Sequence, residues 1–316
     1  METHYGIPLG LPEGASAHAL QLDNLTALVH WFMAVLFVGW GIFFVYTLFR
    51  FRKRRNPVAS YEGAKGHFST YGEAGVVLIE VILLVAFAVP IWATRVNAVP
   101  SEREAVTVRV VAEQFAWNAH YPGADGIFGR ALPLKVGERI SSSNPLNLDP
   151  NDPAGKDDFV TINQLHLPVN RKILIHLSSK DVIHSLFLPQ MRVKQDAIPG
   201  QSIPVWFEAT KVTPPENAQP ACVATKSCWE IACAQLCGIT HYRMRGIYQI
   251  HDAAGYEKWL SENAPKIAAL PAPPAPTGEA VTPTGQALPG QNPVGAGGPQ
   301  PGDQDGTPDE HEGHNH

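Results

Sequence analysis

The residues best equipped for chemistry lie within a stretch of twelve, Cys233-Ala-Gln-Leu-Cys237-Gly-Ile-Thr-His241-Tyr-Arg-Met244, which holds two thiols, an imidazole and a thioether. Sulphur and imidazole ligands select a soft or borderline metal over magnesium or calcium, and the thioether tilts the choice to copper. The spacing, Cys-x3-Cys, then x3-His, then x2-Met, reads as one loop folded round a small cluster, so a further strong ligand must arrive from elsewhere in the chain. Zinc held by two Cys and two His fits the spacing but leaves Met244 idle. A blue-copper site normally takes a single Cys, and a disulfide between Cys233 and Cys237 leaves the His residues without a task.

Upstream, Asp181-Val-Ile-His184-Ser-Leu-Phe-Leu-Pro189 supplies a His at the start of a β-rich run, and Val193-Lys-Gln-Asp196-Ala-Ile-Pro199-Gly200 follows it. Together with the Cys loop, these segments resemble the binuclear copper A domain of cytochrome c oxidase subunit II, over most of residues 20–260. The resemblance implies two copper ions bridged by the sulphurs of Cys233 and Cys237, with one imidazole on each from His184 and His241. Met244 and the backbone carbonyl of Gln235 become the weak axial donors. The family usually has Glu where Gln235 stands, and that carboxylate also reaches a magnesium ion. A neutral Gln is a poorer partner for a hard dication, so magnesium does not follow here.

The same resemblance places Asp196 in the interface with oxidase subunit I and Asp181 on the docking surface for cytochrome c. It also puts Gln114-Phe115-Ala-Trp117 over the copper site, with Phe115 where the family commonly has the Trp that receives electrons. Alternation along a strand would give Phe115 and Trp117 one face, so the two are expected to form a joint contact on the electron path. The implied role is the electron-accepting subunit of a proton-translocating haem-copper cytochrome c oxidase. Electrons pass from cytochrome c through copper A to a haem in subunit I, where haem and a further copper reduce oxygen to water. No catalytic, oxygen-reducing centre is expected in this chain, and no Cys-x-x-Cys-His haem motif occurs. The copper A subunit of a nitric oxide reductase would carry the same loop. From a different class, a membrane-anchored copper chaperone or storage protein would use the same ligands, although paired His and bridging Cys oppose the open site that metal exchange needs.

The elements that must position these ligands follow from hydropathy. Residues 25–49 contain no Asp, Glu, Lys or Arg and are long enough to cross a bilayer as a helix, with His30 near the outer end. The cluster Arg50-Phe-Arg52-Lys53-Arg54-Arg55 places that end on the cytoplasmic side. Residues 74–94 form a second span, interrupted by Glu80, with Pro90 near its outer end. A carboxylate there is costly in lipid and points to a partner subunit. The resemblance puts the mouth of a proton path at Glu73. The expected organisation is an exposed N-terminal arm (1–24), a two-helix transmembrane hairpin (25–95), a cupredoxin-like copper domain (96–264) and a disordered tail (265–316). Both termini and the domain would face the periplasmic side of a bacterial-type inner membrane.

From residue 106 the pattern becomes β, with short runs at 106–111, 160–165, 173–177, 203–207 and 246–250 separated by Pro, Gly, Asn and Asp. An antiparallel Greek-key barrel or sandwich fits them, with the ligands in loops at one end. Residues 123–158 read as an insertion, and 253–262 as a short closing helix. Cys222 and Cys228 stand outside the metal loop, on the oxidising side, where a disulfide and a pair of free thiols are the two readings. The tail is rich in Pro, Gly, Ala and Thr and ends in Asp309-Glu-His311-Glu-Gly-His314-Asn-His316, a weak metal-binding or merely solvated terminus. A net charge of −5 offers no basic footprint for nucleic acid.

Overall fold

The structure is a computed structural model that describes residues 10–58, 61–62, 66–133, 144–225 and 227–265. The expectations for the tail beyond residue 265, and for residues 1–9 of the arm, fall outside these. Two helices are long and apolar enough to cross a membrane, Ala19–Arg50 (α1) and a continuous helical stretch Phe68–Val96. The second comprises α2 (Phe68–Ile82), a π-helical stretch at Leu83–Ala88, and α3 (Val89–Val96). The widened turn ends where Pro90 enters, which is where a missing N–H would otherwise break the i to i−4 ladder. Large apolar side chains along both helices, among them Phe37, Phe43, Leu84 and Trp92, are exposed in the chain by itself, as a lipid or partner environment requires.

The β domain consists of two five-stranded sheets. The first has the order β3-β2-β1-β5-β8 and the second β4-β10-β9-β6-β7. In chain order the strands are β1 (Val106–Glu113), β2 (Ala116–Tyr121), β3 (Phe159–Ile162), β4 (Gln164–Pro168), β5 (Lys172–Ser179), β6 (His184–Leu188), β7 (Val193–Ala197), β8 (Ile203–Glu208), β9 (Glu230–Cys233) and β10 (Arg245–His251). The core lies between the sheets, built from inward residues such as Val108, Ile175, Leu186, Phe207, Tyr248 and Ile250. This is the cupredoxin-like sandwich, with one difference from expectation. The sheets are mixed, because β1 runs parallel to β5 and β10 runs parallel to β4.

The single run expected at 160–165 splits at Asn163, which adopts φ 57°. Asn tolerates that left-handed conformation better than the flanking β-branched residues do. Its side-chain Oδ1 accepts from Trp117 N at 2.9 Å and its own N–H donates to Trp117 O at 2.7 Å. There the chain leaves the first sheet and joins the second.

The described part of the N-terminal arm is exposed at residues 10–13 but is then anchored on the β domain. Ala15, Ser16 and Ala19 are buried, and Ser16 bridges Ala209 beyond the end of β8. Asp23, buried in α1, takes two hydrogen bonds from Arg192 at 2.7 and 2.9 Å. A periodicity argument misses this because the arm is stabilised by partners about 170 residues away. Cys222, in the short helix α4 (Ala221–Thr225), is bonded to Cys228 as a disulfide, so these sulphurs are removed from the metal loop's chemistry.

The closing helix is α5 (Ala253–Asn263). It docks through Trp259, which stacks on His166 at a centroid distance of 4.3 Å, while His166 Nδ1 and His251 Nε2 lie 2.8 Å apart. Burial, then the neighbouring His251 charge, lowers the His166 pKa to about 3. Because the folded pKa is below the unfolded value, the unfolded chain binds the extra proton between about pH 6.5 and 3, so stability falls as pH drops through that window. His166 by itself is expected to cost about 1.4 kcal/mol per pH unit there. Urea unfolding of copper-free protein at pH 6.5 and 4.5, followed by Trp fluorescence, measures it. An unchanged midpoint between these pH values would show that His166 titrates normally.

Candidate metal centre

The metal loop connects β9 to β10: Cys233 ends one strand and Met244 immediately precedes the next. A hydrogen bond from Cys233 N to Met244 O at 3.3 Å closes its base. His184 begins β6, which pairs with β9 at Leu186 and Cys233, and Ala234 N donates to Ser185 O at 2.9 Å. Sheet pairing therefore places a residue about fifty positions upstream against the loop.

The candidate donors converge. Cys233 Sγ and Cys237 Sγ are 3.8 Å apart and unbonded. His184 Nδ1 lies 3.9 Å from the first sulphur and His241 Nδ1 3.6 Å from the second. Gln235 O is 3.2 Å from Cys233 Sγ, and Met244 Sδ is 3.6 Å from Cys237 Sγ. Ligand atoms of His184, Cys233 and Cys237 all fall within 4.8 Å of one another. Each sulphur thus has its own imidazole nitrogen and its own weak donor.

Electrostatics point the same way. Burial, and then the adjacent Cys233, pushes the Cys237 thiol up to about 11. Two neighbouring thiols in a buried site do not both ionise by themselves, whereas a bound cation holds both as thiolates. The soft donors and the need for positive charge fit copper ions.

The support around these donors could not be read from spacing. Asp181 Oδ1 accepts from His184 Nε2 at 2.8 Å, which leaves Nδ1 free for a metal. Asp181 also accepts from Val182 N at 2.7 Å and, through Oδ2, from Gln114 N at 2.7 Å. Burial would raise this carboxyl, but the hydrogen bonds from His184, Gln114 and Val182 outweigh it and hold the pKa below the ordinary value. The Gln114 side chain then reaches across to donate to Cys237 O at 2.6 Å. One residue in the β1–β2 turn thereby ties the His184 side of the site to the Cys loop. Asp181 is an exposed residue that also orients His184 from the surface, and its neighbour Glu113 is paired with Lys180 at 2.5 Å.

Gly238, at φ 139°, lets the loop pass under that turn. A Cβ there would lie 2.7 Å from Gln114 Nε2 and 3.0 Å from the Phe115 ring. Phe115 therefore covers the loop, half-buried. Trp117 does not share its position. It is 1% exposed, packed edge-on to His184 with centroids 6.2 Å apart, and cannot reach a partner's surface. The expected common face fails because Gln114 and Phe115 form the two-residue turn between Glu113 and Ala116, so strand alternation begins only after them. Glu73 and Glu80 lie exposed on α2, remote from these donors in sequence and element.

The fold and this donor set define a membrane-anchored cupredoxin-type metal domain. Residues 152–250 match the family model for the periplasmic domain of cytochrome c oxidase subunit II. The alternative cytochrome c oxidase subunit 2 of Bradyrhizobium diazoefficiens is 27% identical over 242 residues, covering 76% of this chain and 79% of the relative. Cytochrome c oxidase subunit 2 of Cereibacter sphaeroides is 25% identical over 261 residues, 80% of this chain and 79% of that one. A crystal structure of the periplasmic domain of subunit II of cytochrome oxidase of Bradyrhizobium japonicum aligns at 20% identity with a TM-score of 0.34, over 52% of this chain and 96% of the other. Over residues 152–250 the chain therefore matches the periplasmic domain of cytochrome c oxidase subunit II, and at 25–27% identity it is similar to proteins that are subunits of that oxidoreductase complex.

Proposed function

We propose that this chain is the electron-accepting subunit of a haem-copper cytochrome c oxidase, taking electrons from a cytochrome c at a binuclear copper A site and delivering them to haem in subunit I. The observation that carries the reading is the pair of unbonded sulphurs 3.8 Å apart, each with its own imidazole nitrogen. Two copper ions bound there supply a one-electron relay with little structural change. The side chains of Cys233, Cys237, His184, His241 and Met244, with the carbonyl of Gln235, would hold them.

The chain's own contribution is rigidity. His184 is 0% exposed and pinned through Asp181, while Gln114 fixes the carbonyl of Cys237. Little can then rearrange when charge arrives, and water is kept from the inner donors, with Cys237 4% exposed. Half-buried Phe115 lies over the loop and is the residue we assign to electron arrival. The two apolar helices would anchor the domain in the membrane, with the domain and N-terminus on the periplasmic side and the basic run at 50–55 in the cytoplasm. On this topology Glu73 lies toward the cytoplasmic end of the second helix, where a proton path into subunit I would open.

Electron paramagnetic resonance of the copper-loaded full chain tests the reading. The expected spectrum has one unpaired electron shared by two copper nuclei at two ions per chain. A signal confined to a single copper would sink it.

A further inference from the structure

A cavity of about 380 Å³ opens between the start of α1, the end of α3, β7 and β8, where the apolar helices meet the β domain. Four basic residues line it, His18, Arg95, Arg192 and Lys194, and none of its lining residues is an Asp or Glu. Arg192 is neutralised by Asp23. Arg95 and Lys194 have no carboxylate partner among the described residues. The Arg95 guanidinium is held 4.3 Å over the Trp206 ring, and Trp206 Nε1 donates to Arg95 O at 2.7 Å. This stacking preorganises a cation without neutralising it.

Two nitrogen atoms of the lining, Arg95 Nε and His18 Nδ1, are buried without a hydrogen-bond partner. His18 is only 5% exposed. Buried polar groups in a native fold are rarely left unpaired, so two on one cavity mark an absent ligand. The ligand must be anionic for Arg95 and Lys194. A hydroxyl, which can both donate and accept, satisfies the unpaired His18 Nδ1 in either tautomer. The remaining walls include Leu22, Val96 and Val99, which are aliphatic. Arg95 sits in the last turn of one candidate membrane helix and His18 directly before the other, so the cavity lies at the bilayer boundary if these helices span.

We propose that this cavity binds the headgroup of phosphatidylglycerol from the outer leaflet. The phosphate meets Arg95 and Lys194, a glycerol hydroxyl meets His18, and the aliphatic wall takes the first carbons of the acyl chains. The proposal rests on the membrane reading but not on copper.

The test uses delipidated full-length chain in detergent, titrated with phosphatidylglycerol, phosphatidylcholine or inorganic phosphate, with retained ligand counted by native mass spectrometry. One phosphatidylglycerol per chain is expected, at least tenfold preferred over phosphatidylcholine, with binding weakened at least tenfold by Arg95→Gln. Because Arg95 packs on Trp206, exposed Lys194→Gln provides the second variant, which should also weaken binding. Copper content should be unchanged in both. Equal retention of the two lipids, or indifference to both substitutions, would overturn the proposal. Phosphate binding that the lipid cannot displace would assign the cavity to a free anion and reject the lipid. Lipid held by the single chain but absent from the assembled oxidase would assign it to a neighbouring subunit's acidic side chain, and would equally reject it.

Discussion

His184→Ala is expected to abolish the two-copper signal, whereas Gln235→Ala should keep it. His184 is fully buried, its Nδ1 faces Cys233 and its Nε2 is held by Asp181, so no other side chain can take over the position. Removing an outer partner of a ligand typically weakens metal binding by about 10–100-fold, and loss of the ligand itself should exceed the upper end of that range. At position 235 the proposed donor is the backbone oxygen, 3.2 Å from Cys233 Sγ, while the side chain is exposed. Alanine retains that oxygen. Copper per chain and the paramagnetic spectrum measure both variants. An equal fall in the two would show that the assignment of side-chain and main-chain donors is wrong.

Asp181→Asn should weaken copper binding by about 10–100-fold, the usual effect of losing the group that orients a ligating imidazole. The substitution is nearly isosteric, so the effect is chemical. Asn has one acceptor oxygen and one amide donor, whereas Asp181 accepts from both His184 Nε2 and Gln114 N. Whichever way the amide is turned, an N–H meets another N–H. Either His184 loses its anchor, or the β1–β2 turn loosens and with it the bond from Gln114 to Cys237 O. The salt dependence of cytochrome c association should change little, because this carboxylate is already engaged by His184 Nε2 and Gln114 N. Competition with a copper chelator gives the affinity, and stopped-flow reduction over a salt series gives the association. Unchanged copper affinity combined with weaker low-salt association would restore Asp181 to the docking surface and remove it from the site.

The candidate metal site was legible in the sequence because its donors are dense and local. Five of the six lie within twelve residues, and the types of the side chains restrict the metal. The apolar helices were legible for a similar reason, since crossing a bilayer demands an uninterrupted run that no local pairing can mimic. Strand runs at β1, β5, β8 and β10 were visible through their β-branched content. Short β2, β7 and β9 were not, because pairing across the sheet rather than intrinsic preference stabilises them.

What the tertiary structure decided was orientation. Whether Asp181 reaches His184 depends on where β6 leaves the sheet, and that depends on register with β7 and β9. Trp117 is a core residue and Phe115 a covering one because a two-residue turn precedes β2, which hydrophobic alternation cannot locate. The N-terminal arm is anchored for the same class of reason: Asp23 meets Arg192 only after the chain has folded. Residue type and spacing are local properties, while the partner of a buried charge is set by contacts between segments far apart in the chain, and those exist only once the sheets have assembled.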